Sequence, residues 1–563
     1  MDKILLRGIT FLNPILSRAG VDTYQLYLIL KTKLMIDNRR PKVMFAARKN
    51  AKNNVRSPWA IILGTLIMGT LISLVLFLDK MPYVGQTFYF SIFMVLMMLT
   101  LISDFTTVLI DTRDQYIILP RPVNDRTFMV SRILHITIYV MRLALLQGAP
   151  ALVMIGFIDG PLAIPLFFIQ ILEATFMSIF LVNIVYLVMM KFVNPQRFKD
   201  IISYIQIGFS ILIFGAYYLL PRLVNVAVLQ NISILSHGWT YILPPLWIAA
   251  LNELLFHHGR SNMITSLLAI AGLIAPLAGM WLVAKVLAPG FNRSLSIIAT
   301  SDGNSNSVVN TKKARKFSFL DKIGHWVTSD PVENAGFNIT RKLAARTREF
   351  KMKVYPAFGY IPIYFLYFML NGKGGNLSER WENIREGHSY IFLIYLCTFI
   401  LSSLMMHISM SEKYKSAWVY YSTPISEPGK ILSGMYKTLF IFYFLPYCLA
   451  LSIIIIAIWG PEAINDIILA ILVCNIYGLL MALFMVKGLP FSKPVVVKQG
   501  GGRMISSLLM LAFIGGVGFG HYYLMQYENV IWIAIIPFLF FNWLMLHYYK
   551  KQTWENLEMA DDL

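Results

Sequence analysis

Twelve stretches of about 20 predominantly apolar residues recur along this 563-residue chain, and no other feature limits its fold so strongly. Hydrocarbon offers the backbone no hydrogen-bond partners, so a stretch of this length crosses a bilayer as a helix that satisfies its own N–H and C=O groups. The stretches lie at 58–78, 86–110, 133–158, 161–190, 201–221 and 263–288, then at 355–371, 389–410, 435–458, 463–486, 505–526 and 530–549. Only 14% of the residues are charged, against roughly 25% in soluble domains, so water is not the main solvent of this chain. The expectation is an all-α polytopic membrane protein of about twelve transmembrane helices.

Charge sets the expected orientation. The first 57 residues are long and basic and lack a short apolar core with a small-residue cleavage site, which predicts an uncleaved, cytoplasmic N-terminus. Of the 49 lysines and arginines, 41 fall in the N-terminal segment, the 111–132, 191–200, 411–437 and 487–503 loops, the central linker and the C-terminal tail. The opposite loops hold only Lys80, Arg222, Arg260, Lys373, Arg380 and Arg385. A different number of spans would destroy this asymmetry, so the positive-inside rule predicts both termini in the cytoplasm. The net charge of +20 is then chiefly a topology signal with a secondary attraction to anionic headgroups, and it argues against nucleic-acid binding. The three cysteines, Cys397, Cys448 and Cys474, fall inside apolar stretches without metal-ligand spacing and read as packing residues.

The chain also repeats itself. Gly160-Pro161-Leu162-Ala163-Ile164 opens the fourth stretch and Gly460-Pro461-Glu462-Ala463-Ile464 the tenth, 300 residues later. Pro122-Val123-Asn124-Asp125 stands 302 residues before Pro424-Ile425-Ser426-Glu427, and Ser131 and Ser433 keep that register. Two matched sites with six stretches in each half predict a duplication, and an even number of spans makes the repeat parallel. The expected organisation is an N-terminal segment (1–57), a first six-helix half (58–288), a basic linker (289–354), a second half (355–549) and a tail (550–563). Residues 337–354 can place Ile339, Leu343, Phe350 and Val354 on one helical face, and Tyr24, Tyr27, Leu28, Leu34 and Met35 cluster similarly. Both segments suit interfacial helices, and equally suit helices packed on the protein itself.

The most informative polar segments follow the second stretch of each half. The first carries Asp111, Arg113, Asp114, Arg121, Pro122, Asp125 and Arg126 around an apolar core; the second carries Glu412, Lys413, Lys415, Trp418, Pro424, Glu427 and Pro428 in a similar arrangement. A short charged helix of this kind can dock into a groove of a cytoplasmic partner, although a solvated loop would carry the same charges. Charges within hydrocarbon cost about 2.5–3.5 kcal/mol on insertion scales and count as functional candidates. Arg142 and Glu173 are the deep ones, on neighbouring spans at depths about 4.5 Å apart at 1.5 Å rise per residue, which suits an ion pair. The equivalent positions of the second half carry no matching charges, which favours a structural pair over a substrate or proton site. The nine histidines are scattered, and none has an acid or metal partner on its own helical face.

With Leu119-Pro120-Arg121-Pro122-Val123-Asn124 and Ser422-Thr423-Pro424-Ile425-Ser426 in these loops, the sequence resembles the membrane permeases of type 2 ABC exporters. A second similarity is the outer segment between spans five and six, where Trp239, Pro244, Pro245 and Trp247 stand in the place of the family's short re-entrant helices. The resemblance implies that 111–125 and 411–427 are coupling segments receiving the motion of two separate ATPase subunits, which hold ATP and Mg. It also implies alternating access between the halves and a bacterial cytoplasmic (inner) membrane. The chain departs from the pattern by carrying twelve spans instead of six, and by joining its last two spans directly near Gln526 to Asn529. No G-x-x-x-x-G-K-[ST] occurs, so this chain has no P-loop of its own, is not expected to be an enzyme, and needs no cofactor itself. Two alternatives stay open. An ion-coupled secondary transporter would use Glu173, and a membrane-embedded lipid or glycan enzyme would use the 111–126 loop.

Overall fold

The computed structural model describes residues 13–18, 20–39, 59–80, 84–104, 121–192, 195–223, 238–256, 262–282, 319–371, 379, 381–382, 385, 387, 390–411, 413–494 and 501–558. Among these residues the secondary structure is helical, apart from one isolated parallel bridge between Met410 and Lys493. The chain is an all-α membrane protein: seven of its described helices are long and apolar enough to cross a bilayer, between Val84–Ile102 and Val530–Lys550. Three shorter apolar helical stretches, Ile62–Phe77, Ser203–Ala216 and Met263–Gly279, fall on further predicted segments. Helix is present at every one of the twelve segments singled out by hydropathy.

In the first part of the chain the helices are α1 (Thr23–Arg39), α2 (Trp59–Ser73, continued as a 3-10 helix to Lys80), α3 (Val84–Asp104), α4 (Asp125–Ile158) and α5 (Ala163–Phe192). They are followed by α6 (Pro195–Leu223), α7 (Pro244–Phe256) and α8 (Met263–Leu282). The remainder comprises α9 (Phe319–Val327), α10 (Pro331–Arg346), α11 (Arg348–Asn371), α12 (Tyr390–Leu396), α13 (Thr398–His407) and α14 (Trp418–Ser422). It ends with α15 (Gly429–Leu439), α16 (Leu445–Trp459), α17 (Ile464–Met485), α18 (Gly501–Leu524) and α19 (Glu528–Lys550). A single π-helical turn, Phe440–Phe444, joins α15 to α16. Pro446 has no N–H for an α-type bond to Phe442 and would crowd that carbonyl, and a wider turn relieves both problems.

Two compact units emerge, and their boundary is not the boundary of the two hydropathy halves. One comprises Met1–Phe45, Lys52–Ile202 and Val226–Val309; the other comprises Ala46–Ala51, Ser203–Asn225 and Asn310–Leu563. The part of α6 from Ser203 onward therefore belongs with the second unit. An aromatic ladder holds it there: Phe214 stacks on Tyr360 with ring centroids 4.1 Å apart, Ser210 Oγ lies 3.2 Å from the Tyr360 hydroxyl, and the Tyr364 hydroxyl donates to that of Tyr218 at 3.3 Å.

Inside the first unit, α2, α3, α4, α5 and α7 pack around Tyr89, Phe90, Phe93 and Phe167, all fully buried, while Leu268 and Ala269 of α8 pack on Leu246 and Ala250 of α7. Leu26, Leu30 and Leu34 of α1 pack against Ile138 and its neighbours on α4, while Tyr24, Leu28 and Met35 point outward. Thus α1 both packs on the protein and presents an apolar face away from it.

Inside the second unit, α10 lies along α15 at very close range. A Cβ placed on Gly434 would come 2.1 Å from the Glu333 carbonyl oxygen, and one on Gly336 would come 2.7 Å from that of Ile431. Small residues at both positions let the two backbones approach without intervening side chains. This contact corrects the expected single face over residues 337–354. Thr347 is extended (φ −78°, ψ 112°) and breaks the helix, so the helix that carries the predicted 355–371 segment starts at Arg348. Phe350 and Val354 are buried, but Ile339 and Leu343 face outward because the small residues of α10 turn toward α15.

The sequence repeat has a counterpart in backbone geometry. Gly160 and Gly460 both have φ +90°, a region that L side chains rarely adopt. In each half the residue three positions on donates its N–H to that glycine's carbonyl, Ala163 at 3.1 Å and Ala463 at 3.5 Å. A second correspondence was not read from the sequence. Asp22 caps α1 by accepting from the N–H groups of Tyr24 and Gln25, and Asp330 caps α10 by accepting from that of Val332. Each acid is followed three residues later by Gln25 or Glu333, the capping-box spacing.

Candidate functional site

The best-defined exposed polar segment is the second of the two loops singled out above. It begins where α13 ends and is anchored by backbone hydrogen bonds to the chain after α17. Ser411 N–H donates to Lys493 O at 2.8 Å, Lys493 N–H to Ser409 O at 2.7 Å, and Phe491 N–H to Ile408 O at 2.9 Å. Phe491 has φ +56°, an uncommon conformation for a bulky residue, and its buried ring packs edge-on against Phe350.

The loop then forms a 3-10 turn, Tyr414–Ala417, which runs directly into α14. Ala417 and Tyr420 point inward, while Trp418 is 59% and Val419 49% exposed. Lys413, Lys415, Pro424 and Glu427 are exposed on the same loop, and Glu427 pairs with Lys430 at 3.2 Å. The far side is braced by the C-terminal tail. Trp554 Nε1–H donates to Ile425 O at 2.9 Å, its ring lies 5.6 Å from that of Tyr421, and Gly429 N–H donates to Gln552 O at 3.1 Å. Lys493 Nζ completes the brace on Glu558 at 2.8 Å. The result is a short, supported helix that offers an indole and a valine beside two ammonium groups. Exposed aromatic surface on a rigid support is the chemistry of an anchor for another surface.

The first loop is only partly described. Asp111, Arg113 and Asp114 lie outside the described residues, as does the side chain of Asp125, and so does Glu412 in the second loop. Arg121 and Pro122 are exposed, and the Pro122 carbonyl accepts from Gln25 Nε2 of α1 at 3.3 Å. Asn124 caps α4 by accepting from Arg126 N–H, while its own amide donates to Gly20 O at 3.2 Å. The end of this loop is thus tied to α1, just as the second loop is tied to the tail.

Of the two intramembrane charges, Glu173 on α5 is buried with its Oε2 unpartnered among the described residues. Arg142 is half-buried on α4, and no ion pair between the two is among the described contacts. In the outer segment, Trp239 is 65% exposed on the 3-10 turn Gly238–Ile242, and Pro244 and Pro245 open α7. Trp247 Nε1–H donates back to Tyr241 O at 2.7 Å, and Asn252 Nδ2 to Asp159 Oδ2 at 2.8 Å. The 13 residues of α7 span about 20 Å, well short of a bilayer core of roughly 30 Å, and α7 packs on α8, α3 and α5. Between α18 and α19 only Met525–Gln526–Tyr527 intervene, so the second half has no such element.

Two polar clusters were not anticipated from the sequence. In the first, Asp466 of α17 accepts from the Tyr390 hydroxyl of α12 and lies 3.1 Å from His521 Nε2 of α18, whose Nδ1 is 2.9 Å from the Tyr395 hydroxyl. All four side chains are buried. No local spacing reveals this pair, because the acid partner of the histidine comes from a different helix. In the second, the fully buried Glu333 carboxylate of α10 accepts from Lys437 Nζ at 2.7 Å, Lys550 Nζ at 2.9 Å, Ser433 Oγ at 2.7 Å and Ser329 N–H at 3.2 Å. Burial alone pushes this carboxyl up, but donation from Lys437, Ser433 and Lys550 outweighs it and holds the group down at about 2. Glu333 therefore clamps α10, α15 and α19 together. The capping-box spacing Asp330-Pro331-Val332-Glu333 was its one legible signal.

The three cysteines are free and buried in the core of the second unit, as packing residues would be. Among the described residues no group of three or more His, Cys, Asp or Glu side chains is placed to hold a metal ion. Comparison with known proteins gives no match to this chain, whether among family models, curated proteins or solved structures.

Proposed function

We propose that this chain is the membrane permease subunit of an ABC-type exporter, with two six-helix halves forming a substrate pathway and both termini in the cytoplasm. Its energy comes from two separate ATPase subunits that hold ATP and Mg and engage the segments 111–125 and 411–427. The observation that carries this reading is the braced helix α14, with Trp418 and Val419 exposed between Lys413, Lys415 and Glu427. A segment that transmits motion must be stiff on the membrane side and adhesive on the other, and α14 has both properties. The matched glycine turns and capped helices of the two halves support a duplicated permease. Its basic loops support a cytoplasmic position for this face, and the resemblance supports a bacterial inner membrane.

The test is affinity purification of the detergent-solubilised protein, with ATPase activity measured in the eluate for the wild type, Trp418→Ala/Val419→Ser, and charge-reversed Asp114 and Glu412. The proposal expects an ATPase subunit with the wild type and its loss with the variants. Monodisperse protein that repeatedly brings down no nucleotide-binding partner overturns it.

A second reading, an ion-coupled transporter, is favoured by the buried Asp466–His521–Tyr395 chain together with unpartnered Glu173, because titratable groups buried in membrane spans commonly serve coupling ions. Proton uptake on substrate addition to sealed proteoliposomes without ATP, abolished by Asp466→Asn, would support it over the first.

A further inference from the structure

A groove of about 410 Å³ opens in the second unit between α10, the start of α11 and the π turn before α16. Arg341, Lys342 and Arg346 line one side, and Tyr355, Phe442 and Tyr443 line the other. The three cations are not equivalent. Arg341 is committed to Asp321 of α9 and to Asn338, whereas Lys342 and Arg346 are exposed and make no hydrogen bond or ion pair among the described residues. One turn apart on α10, they offer an ammonium and a guanidinium over the same opening. Arg341 Nε, buried in the groove wall, likewise has no acceptor among the described residues.

The surroundings indicate where this groove sits. Phe319 is 74% and Trp326 90% exposed, seven residues apart and therefore on one face of α9, and Ile339 and Leu343 of α10 are outward-facing neighbours. Apolar side chains held outward around a basic opening, at the junction of a short amphipathic helix with a membrane span, match a bilayer interface: rings among the acyl chains and cations at headgroup level.

We infer that this groove binds the phosphate of an anionic membrane lipid, with Lys342 and Arg346 on the phosphate oxygens and the glycerol and upper acyl chains against Tyr355, Phe442 and Tyr443. A guanidinium matches phosphate geometry bidentately, and an ammonium adds a point charge beside it. The volume is within the range of small-ligand sites. The aromatic wall distinguishes a lipid from free phosphate, which has nothing to place there. The site is independent of whether the chain is a permease, because it rests only on the groove and its surroundings.

The experiment is lipid retention by native mass spectrometry, on full-length protein from micelles containing equal amounts of phosphatidylglycerol and phosphatidylcholine. The wild type is expected to retain phosphatidylglycerol about tenfold over phosphatidylcholine, the equivalent of one charge-assisted hydrogen bond. Lys342→Gln/Arg346→Gln is expected to lose that preference, and Lys551→Gln, an exposed cation elsewhere, to keep it. Absence of preference in the wild type, or equal preference in the double variant, overturns the site. Complete displacement of phosphatidylglycerol by millimolar inorganic phosphate overturns the lipid occupant. The wild-type comparison stands even if the double variant fails to fold.

Discussion

Replacing Glu333 with glutamine keeps the shape of the side chain but removes the charge on which Lys437 and Lys550 converge. The size of the effect can be approached by two routes. Glu333 is fully buried and its carboxyl is held at about 2 from an ordinary value of 4.5. That difference is worth about 3 kcal/mol at neutral pH, at about 1.4 kcal/mol per unit. Removing one partner of a buried ion pair costs about 3–5 kcal/mol, because the other charge is left behind. The lysines retain 16% and 25% side-chain exposure and can turn partly toward water, so the lower end applies, about 3 kcal/mol. The assay is denaturant unfolding of the detergent-solubilised protein, followed by tryptophan fluorescence at neutral pH and across an acid series. The folded carboxyl titrates below its unfolded value, so its contribution is complete above about pH 4.5 and disappears as pH falls toward about 2. The wild type should lose this increment over that window, and Glu333→Gln should lack it throughout. Adding Lys437→Gln to Glu333→Gln should recover part of the loss. A Glu333→Gln protein within about 0.5 kcal/mol of wild type at neutral pH, or one that loses stability in parallel with it on acidification, refutes the clamp.

Gly160→Ala and Gly460→Ala should each cost about 1–3 kcal/mol, and by similar amounts, because both positions have φ +90° and open space around them, leaving only backbone strain to separate glycine from alanine. A large difference between the two in unfolding assays would mean that the turns are not equivalent. Gly434→Ala should displace α10 from α15, since its methyl group would meet backbone and not a flexible side chain; the readout is faster proteolysis between Phe319 and Arg348, and unchanged protection would contradict the close contact. Trp554→Ala should loosen the 411–427 loop by removing its indole hydrogen bond and ring contact. Hydrogen exchange should rise in that loop while α17 stays protected, and an unchanged loop would show that the tail is not its brace.

Period and charge made the helices legible. Each apolar stretch had to become a helix because hydrocarbon offers no other partner for its backbone, and the Gly-Pro turns announced a repeat that the φ values of Gly160 and Gly460 repeat in geometry. The sequence also placed Trp418 in a charged loop, but it held no sign that Trp554, more than 130 residues away, would support it. It held no sign that Phe214 and Tyr218 would attach to Tyr360 and Tyr364, because that attachment depends on ring packing and not on hydropathy. It did not foresee the break at Thr347, which separates outward-facing Ile339 and Leu343 from buried Phe350 and Val354. The sequence alone determined what must be helical and where polar loops interrupt it, since those follow from local composition in a nonpolar solvent. Only the tertiary structure decided which charges meet: Glu333 with Lys437 and Lys550, and Asp466 with His521, are brought together from helices far apart in the chain, and no local spacing encodes such a meeting.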